Sequence, residues 1–113
     1  MTRHGYVLTD AAEADLRSII RYTRTQWGDV QVHRYITALE RGMACLASRQ
    51  GAFRDLRAIY PELRMVHCEH HYLFCLMRKD APALIVAIFH ERMDLRTRLT
   101  ARLVHTESQA HQQ

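Results

Sequence analysis

At 113 residues, 48% hydrophobic and 25% charged, the chain has the size and composition of one compact domain, and no Pro-, Gly- or Ser-rich stretch divides it. Its longest apolar runs fall far short of a membrane span, and the start, Met-Thr-Arg-His-Gly-Tyr, has no apolar signal core, which predicts a soluble cytoplasmic protein. The net charge of +4, carried almost wholly by arginine with Lys79 the only lysine, favours an acidic partner, whether nucleic acid or protein, and three cysteines imply no disulfide framework.

Tyr6-Val7-Leu8 reads as a short strand running straight into a helix, with Asp10 and Glu13 as a capping-box-like start. Ala12, Leu16, Ile19, Ile20, Thr23 and Trp27 recur at helical spacing until Gly28 closes the segment. Asp29 then caps a second helix with the stripe Val32, Tyr35, Ile36, Leu39, Met43 and Leu46, ending near Ser48. So tight a joint predicts an antiparallel helix hairpin. Arg49 to Pro61 is irregular, with Gly51 and Pro61 as breakers, and reads as a loop or short edge segment. Leu63 to Cys68, Tyr72 to Arg78 and Leu84 to His90 read as three strands, and their short connections predict an antiparallel meander. The last is apolar from Leu84 to Phe89, which places it centrally, under the hairpin, with both faces covered or nearly so. Asp94 caps a short final helix, Leu95 to about Val104, with Leu95, Leu99 and Leu103 on one side. The domain therefore spans 1–104, and 105–113 is expected to be a disordered polar tail. The class is α+β, and Leu16, Ile20, Trp27, Ile36, Leu39, Phe74, Val86 and Ile88 are expected to share one core between hairpin and sheet.

The most informative junction is 84–99, where the buried strand delivers His90, Glu91, Arg92 and Asp94 to the surface on a rigid support. Arg92, Arg96, Arg98 and Arg102 have only Asp94 among acidic residues in 92–102, so a basic strip is expected on the strand end and helix, the alternative being an ordinary solvated helix face. Cys68, His70, His71 and Cys75 lie close in sequence, but a strand leads into Cys68 and Cys75 sits inside the next, unlike the close ligand pairs of structural zinc motifs. No metal or other cofactor is expected. His67, His70, His71 and His90 with Arg64 and Arg92 could instead serve acid–base and phosphate-binding roles in RNA cleavage if they shared a sheet face. One sequence does not fix whether His67 and His90 face the same way, and surface histidines with satisfied partners are the better explanation. Cys45 has no obvious base beside it and makes no case as a nucleophile.

Asp15-Leu16-Arg17-Ser18-Ile19-Ile20-Arg21-Tyr22-Thr23, Trp27-Gly28, Pro61-Glu62-Leu63-Arg64-Met65, Glu69-His70-His71-Tyr72 and His90-Glu91-Arg92-Met93-Asp94-Leu95, in the order strand, helix hairpin, three-stranded meander and C-terminal helix, resemble the RelE/ParE superfamily of toxin–antitoxin toxins. Within it they are similar to the ParE branch, in particular to the toxins of broad-host-range plasmid addiction modules, over about residues 5–103. The resemblance implies a stoichiometric inhibitor that stalls DNA gyrase on cleaved DNA and blocks replication. It also implies neutralisation by a ParD-type antitoxin, a ribbon-helix-helix dimer carrying two toxins. An acidic, amphipathic antitoxin segment would then lie across hairpin and sheet, with Tyr22, Tyr35 and Arg64 as candidate contacts. His90, Glu91, Arg92, Asp94, Arg96, Arg98 and Arg102 are the candidates for the gyrase-directed surface. The alternative is a ribosome-dependent mRNA endoribonuclease of the RelE branch. Arg64 and Arg92 fit its basic residues, but Leu95 to Leu103 holds no tyrosine, histidine or glutamate to complete a proton-transfer set. An inert DNA-binding module is the weakest reading, since no helix resembles a base-reading helix.

Overall fold

A computed structural model describes residues 5–48 and 51–111. The elements run β1 (Tyr6–Leu8), α1 (Asp10–Trp27), α2 (Asp29–Ala47), β2 (Arg54–Asp55), β3 (Leu63–Cys68), β4 (His71–Leu76), β5 (Ala83–His90) and α3 (Leu95–His111). The strands form one mixed sheet in the order β1-β5-β4-β3-β2. The meander β3-β4-β5 is antiparallel as expected, β1 adds to β5 in parallel, and β2 is a two-residue edge on β3. This is an α+β fold.

Local chemistry sets the helix ends. Thr9, not Asp10, caps α1, its hydroxyl accepting the Ala12 N–H at 3.0 Å, while Asp10 and Glu13 sit in the first turn where the helix dipole favours negative charge. Gly28 ends α1 and begins α2 in one residue, at a φ of 89° that a side chain would make costly. Asp29 makes no cap bond and instead pairs with Arg24 across the joint. At the far end of α2, Arg64 on β3 donates to the Leu46 and Ser48 carbonyls, groups that a helix end leaves unpaired.

The core divides between the two faces of the sheet. On one side Ala12, Ile19, Leu39, Met43 and Leu46 of the hairpin pack on Leu73, Cys75, Ile85 and Ile88. On the other, Leu99 and Leu103 of α3 cover Leu63, Met65, Phe74, Val86, Ala87 and Phe89. Phe74 and Val86 therefore lie beneath α3 rather than the hairpin. The continuous apolar run of β5 is explained by this double cover, helped by a bulge: Phe74 pairs with Ala87 and Cys75 with Ile85, so Val86 has no cross-strand partner and falls on the same face as Ala87. Trp27, expected in the core, is 70% exposed because the last turn of α1 overhangs the sheet. Ile20 and Ile36 are half-buried.

The final helix does not stop near Val104. It continues to His111, so the expected disordered tail is helical over 105–111, while 112–113 lie outside the described residues. Two contacts support the extension: Glu107 accepts a hydrogen bond from the Tyr60 hydroxyl at 2.9 Å, and Thr106 bonds back to the Arg102 carbonyl.

Candidate functional sites on the two faces

Two surfaces concentrate the residues singled out by sequence. The first is a cleft of about 700 Å³ where the α1–α2 hairpin overhangs the ends of β4 and β5, lined among others by Tyr22, Trp27, Tyr35, His71, His90 and Met93. Tyr22 and Trp27 are exposed on its rim, at 65% and 70%. Two of the three expected antitoxin contacts, Tyr22 and Tyr35, meet here. Arg64 does not: its guanidinium is engaged at the end of α2 and stacks 4.0 Å above the Phe53 ring. Trp27 was misread as core because it continues the helical spacing of a buried stripe.

The base of the cleft is a polar network. The Tyr35 hydroxyl accepts the His70 N–H at 3.0 Å and, with its own proton, donates to His71 Nδ1 at 2.6 Å. That assignment leaves His71 neutral, and burial, reinforced by the neighbouring His90, lowers its pKa from the usual 6.5 to about 4. Burial likewise raises the Tyr35 pKa. The half-buried Glu91 carboxylate accepts from His67 Nε2 at 2.8 Å and His70 Nδ1 at 3.1 Å, and these bonds, His70 first, lower its pKa. Together the contacts tie the β3–β4 turn to α2 and to the end of β5.

A pH dependence follows. Between pH 6.5 and 4 the unfolded chain binds a proton at position 71 that the folded chain resists, so the neutral histidine's contribution is complete above pH 6.5 and is lost as pH falls through that window. The loss should approach about 3 kcal/mol near pH 4. Urea unfolding at pH 7.5, 5.5 and 4.5 should show it, and His71→Asn should be less acid-sensitive; equal acid sensitivity of the two would show that His71 is not its source.

The register answers the question of a shared histidine face. His67 stands opposite Tyr72, and Tyr72 opposite Phe89, on the α3 side; Cys68, His71 and His90 are cross-strand neighbours on the hairpin side. His67 and His90 thus point to opposite faces. His90 Nδ1 accepts the Arg92 N–H, and its ring meets His71 edge-on at 5.2 Å. Cys68 donates to the Ala38 carbonyl, burial pushes the Cys75 thiol up to about 11, and among the described residues no cluster of histidine, cysteine or carboxylate groups is placed to hold a metal ion.

The second surface is the start of α3. Asp94 caps the helix, weakly, through the Thr97 N–H at 3.4 Å. Arg92, Arg96 and Arg98 are exposed and, among the described residues, make no ion pair. Arg102 departs from the expected strip, turning inward to pair with Asp15 of α1 at 2.8 Å, its side chain only 18% exposed. The charge pattern of α1 sets Asp15 with Arg17, Arg21 and Arg24 on faces away from the apolar stripe; in the structure it lies instead between Ala12 and Ile19 on the buried side, its side chain 16% exposed.

Residues 6–95 match the family described as ParE toxin of type II toxin-antitoxin system, parDE. A protein named Toxin ParE from Escherichia coli is 62% identical over 99 residues, 88% of this chain and 96% of that protein. Toxin ParE1 from Mycobacterium tuberculosis, the same in two strains, is 29% identical over 90 residues, 80% of this chain and 92% of its own.

Proposed function

The chain belongs to the ParE toxin family of type II toxin–antitoxin modules, and from that premise we propose that it inhibits DNA gyrase stoichiometrically and is neutralised by a ParD-type antitoxin in the cytoplasm. The observation carrying the gyrase reading is the first turn of α3. It holds Arg96 and Arg98 with no acidic residue, at the helix end whose dipole disfavours positive charge. Helix stability does not account for that placement, whereas an acidic protein surface or the DNA held by gyrase does. Arg92 extends the patch, and His90, Glu91 and Asp94 form its support.

The ribonuclease reading has less to stand on. His67 and His90 lie on opposite faces, His71 is engaged with Tyr35 and kept neutral, and His67 and His70 are both occupied by Glu91. A proton-transfer pair flanking one phosphate would need these bonds broken first.

The antitoxin reading rests on the cleft. Exposed Tyr22 and Trp27 on its rim offer aromatic anchoring area to an amphipathic segment, and the chain's positive charge suits acidic flanks. A ParD dimer with two such segments would carry two toxins. Replacing Tyr22 and Trp27 together by alanine should weaken antitoxin binding by about 2 kcal/mol or more, read by titration calorimetry; unchanged affinity would move the antitoxin elsewhere. For gyrase, adding the purified protein to enzyme and plasmid should trap cleaved DNA on denaturation, and an absence of trapped cleavage at toxin in excess of gyrase would defeat the reading.

A further inference from the structure

Pairing with β1 protects only part of the β5 edge. Tyr6, Val7 and Leu8 pair with Ala83, Leu84 and Ile85, so from Val86 onward no strand among the described residues lies on that side. Two side chains take its place. Asp15, from the hairpin face, accepts the Ile88 N–H at 3.0 Å; Arg102, from α3 on the opposite face, donates to the Val86 carbonyl at 2.9 Å. The two then close on each other as a forked pair, Nη1 to Oδ2 at 2.8 Å and Nη2 to Oδ1 at 3.0 Å, with the guanidinium 4.9 Å from the centre of the Phe89 ring. This clasp passes round the sheet edge and joins α1 to α3.

The geometry has a consequence for the arginine surface. The buried side of α3 rests chiefly on Leu99 and Leu103, a narrow aliphatic stripe that fixes the distance of the helix from the sheet more firmly than its rotation. A planar guanidinium gripping a carboxylate and a carbonyl is directional and adds the missing angular constraint. Turning the helix by one residue would swing Arg96 and Arg98 about 100° around its axis. We infer that Asp15 and Arg102 are positioning residues for the gyrase-directed surface: their clasp around the free edge of β5 sets the rotation of α3 and so the direction in which Arg96 and Arg98 point. The inference rests on the reading of Arg96 and Arg98 as the gyrase-directed residues.

The test compares Arg102→Gln and Arg102→Lys with an Arg96→Gln/Arg98→Gln variant, all in the full chain released from its antitoxin complex. Gyrase inhibition is measured over a range of salt, beside antitoxin affinity and amide exchange in α3. A charge that touches its partner contributes to the salt dependence of binding, whereas one that only orients others does not. Arg102→Gln should weaken inhibition about tenfold by the same factor at low and high salt, with faster exchange confined to α3 and antitoxin affinity kept. Arg102→Lys, retaining the charge without the fork, should recover part of the loss. Arg96→Gln/Arg98→Gln should flatten the salt dependence. Wild-type inhibition by Arg102→Gln would overturn the inference, as would a flattened salt dependence, which would make Arg102 a direct contact. Equal loss of antitoxin affinity with faster exchange throughout the sheet would make the clasp merely structural and overturn it too. If the Arg96→Gln/Arg98→Gln variant inhibits like wild type, the reading of the gyrase surface itself fails.

Discussion

Reversing Arg96 and Arg98 to glutamate should abolish gyrase inhibition while leaving the fold and antitoxin binding largely intact. Both side chains are exposed and make no ion pair among the described residues, so their replacement removes no buried contact. Glutamate in the first turn of α3 is moreover favoured by the helix dipole, worth a few tenths of a kcal/mol to about 1 kcal/mol, so the helix should become slightly more stable. The functional loss is then separable from misfolding. A melting curve at or above wild type, with retained antitoxin affinity and no inhibition of supercoiling at physiological salt, is the expected set of results. Full inhibition by the folded variant would remove this surface from consideration. Deletion is a poorer test: Leu99 and Leu103 are buried against the sheet, and excising Leu95 to Leu103 would expose Phe74, Val86 and Phe89.

Leu39→Ala should destabilise the protein by about 2–5 kcal/mol, the range for leucine truncation in a core that cannot collapse around the gap. Leu39 is wholly buried, midway along α2, among Ile19, Met43, Leu73 and other members of the hairpin-side cluster. Ile88, 3% exposed on β5, should behave similarly. Against the roughly 5–15 kcal/mol that a domain of this size possesses, either change removes a large share. Urea unfolding of the free toxin measures it, and a midpoint within error of wild type for both variants would mean that the hairpin core is wrongly placed.

What could be read from the chain follows from how local each interaction is. The helix hairpin, the meander and the limits of β3 depend on periodicity and short connections, and these agree with the structure. Parallel pairing of β1 with β5 joins residues some 77 positions apart and leaves no periodic trace. The second core was hidden because α3 contributes so little to it: among the described residues, Leu99 and Leu103 are its only buried members from that helix. Hairpin residues dominate any count of apolar stripes, and Phe74 and Val86 were assigned to them by default. Trp27 shows the opposite error, correct helical phase at a point where the sheet beneath has ended.

The surface residues divide in the same way. Strand ends and charge counts found Arg92, Arg96 and Arg98, which are exposed. They also swept in Arg102, although it neighbours Leu103 and lies one turn from Leu99 on the covered side of α3. An acidic residue on the apolar stripe of one helix and a basic residue on that of another, Asp15 and Arg102, are each costly to bury alone. Their shared solution is visible only once the sheet edge brings them together. Histidine parity was likewise unreadable, since the two-residue turn and the bulge at Val86 set the faces on which His67 and His90 emerge.

The most direct measurement of the central claim is a titration of purified toxin against a fixed concentration of gyrase, run beside translating ribosomes with messenger RNA. Loss of supercoiling in proportion to toxin, complete near one toxin per gyrase binding site, relieved by antitoxin and accompanied by intact message, is the predicted result. Message cut at ribosomes by substoichiometric toxin, with supercoiling untouched, would contradict it.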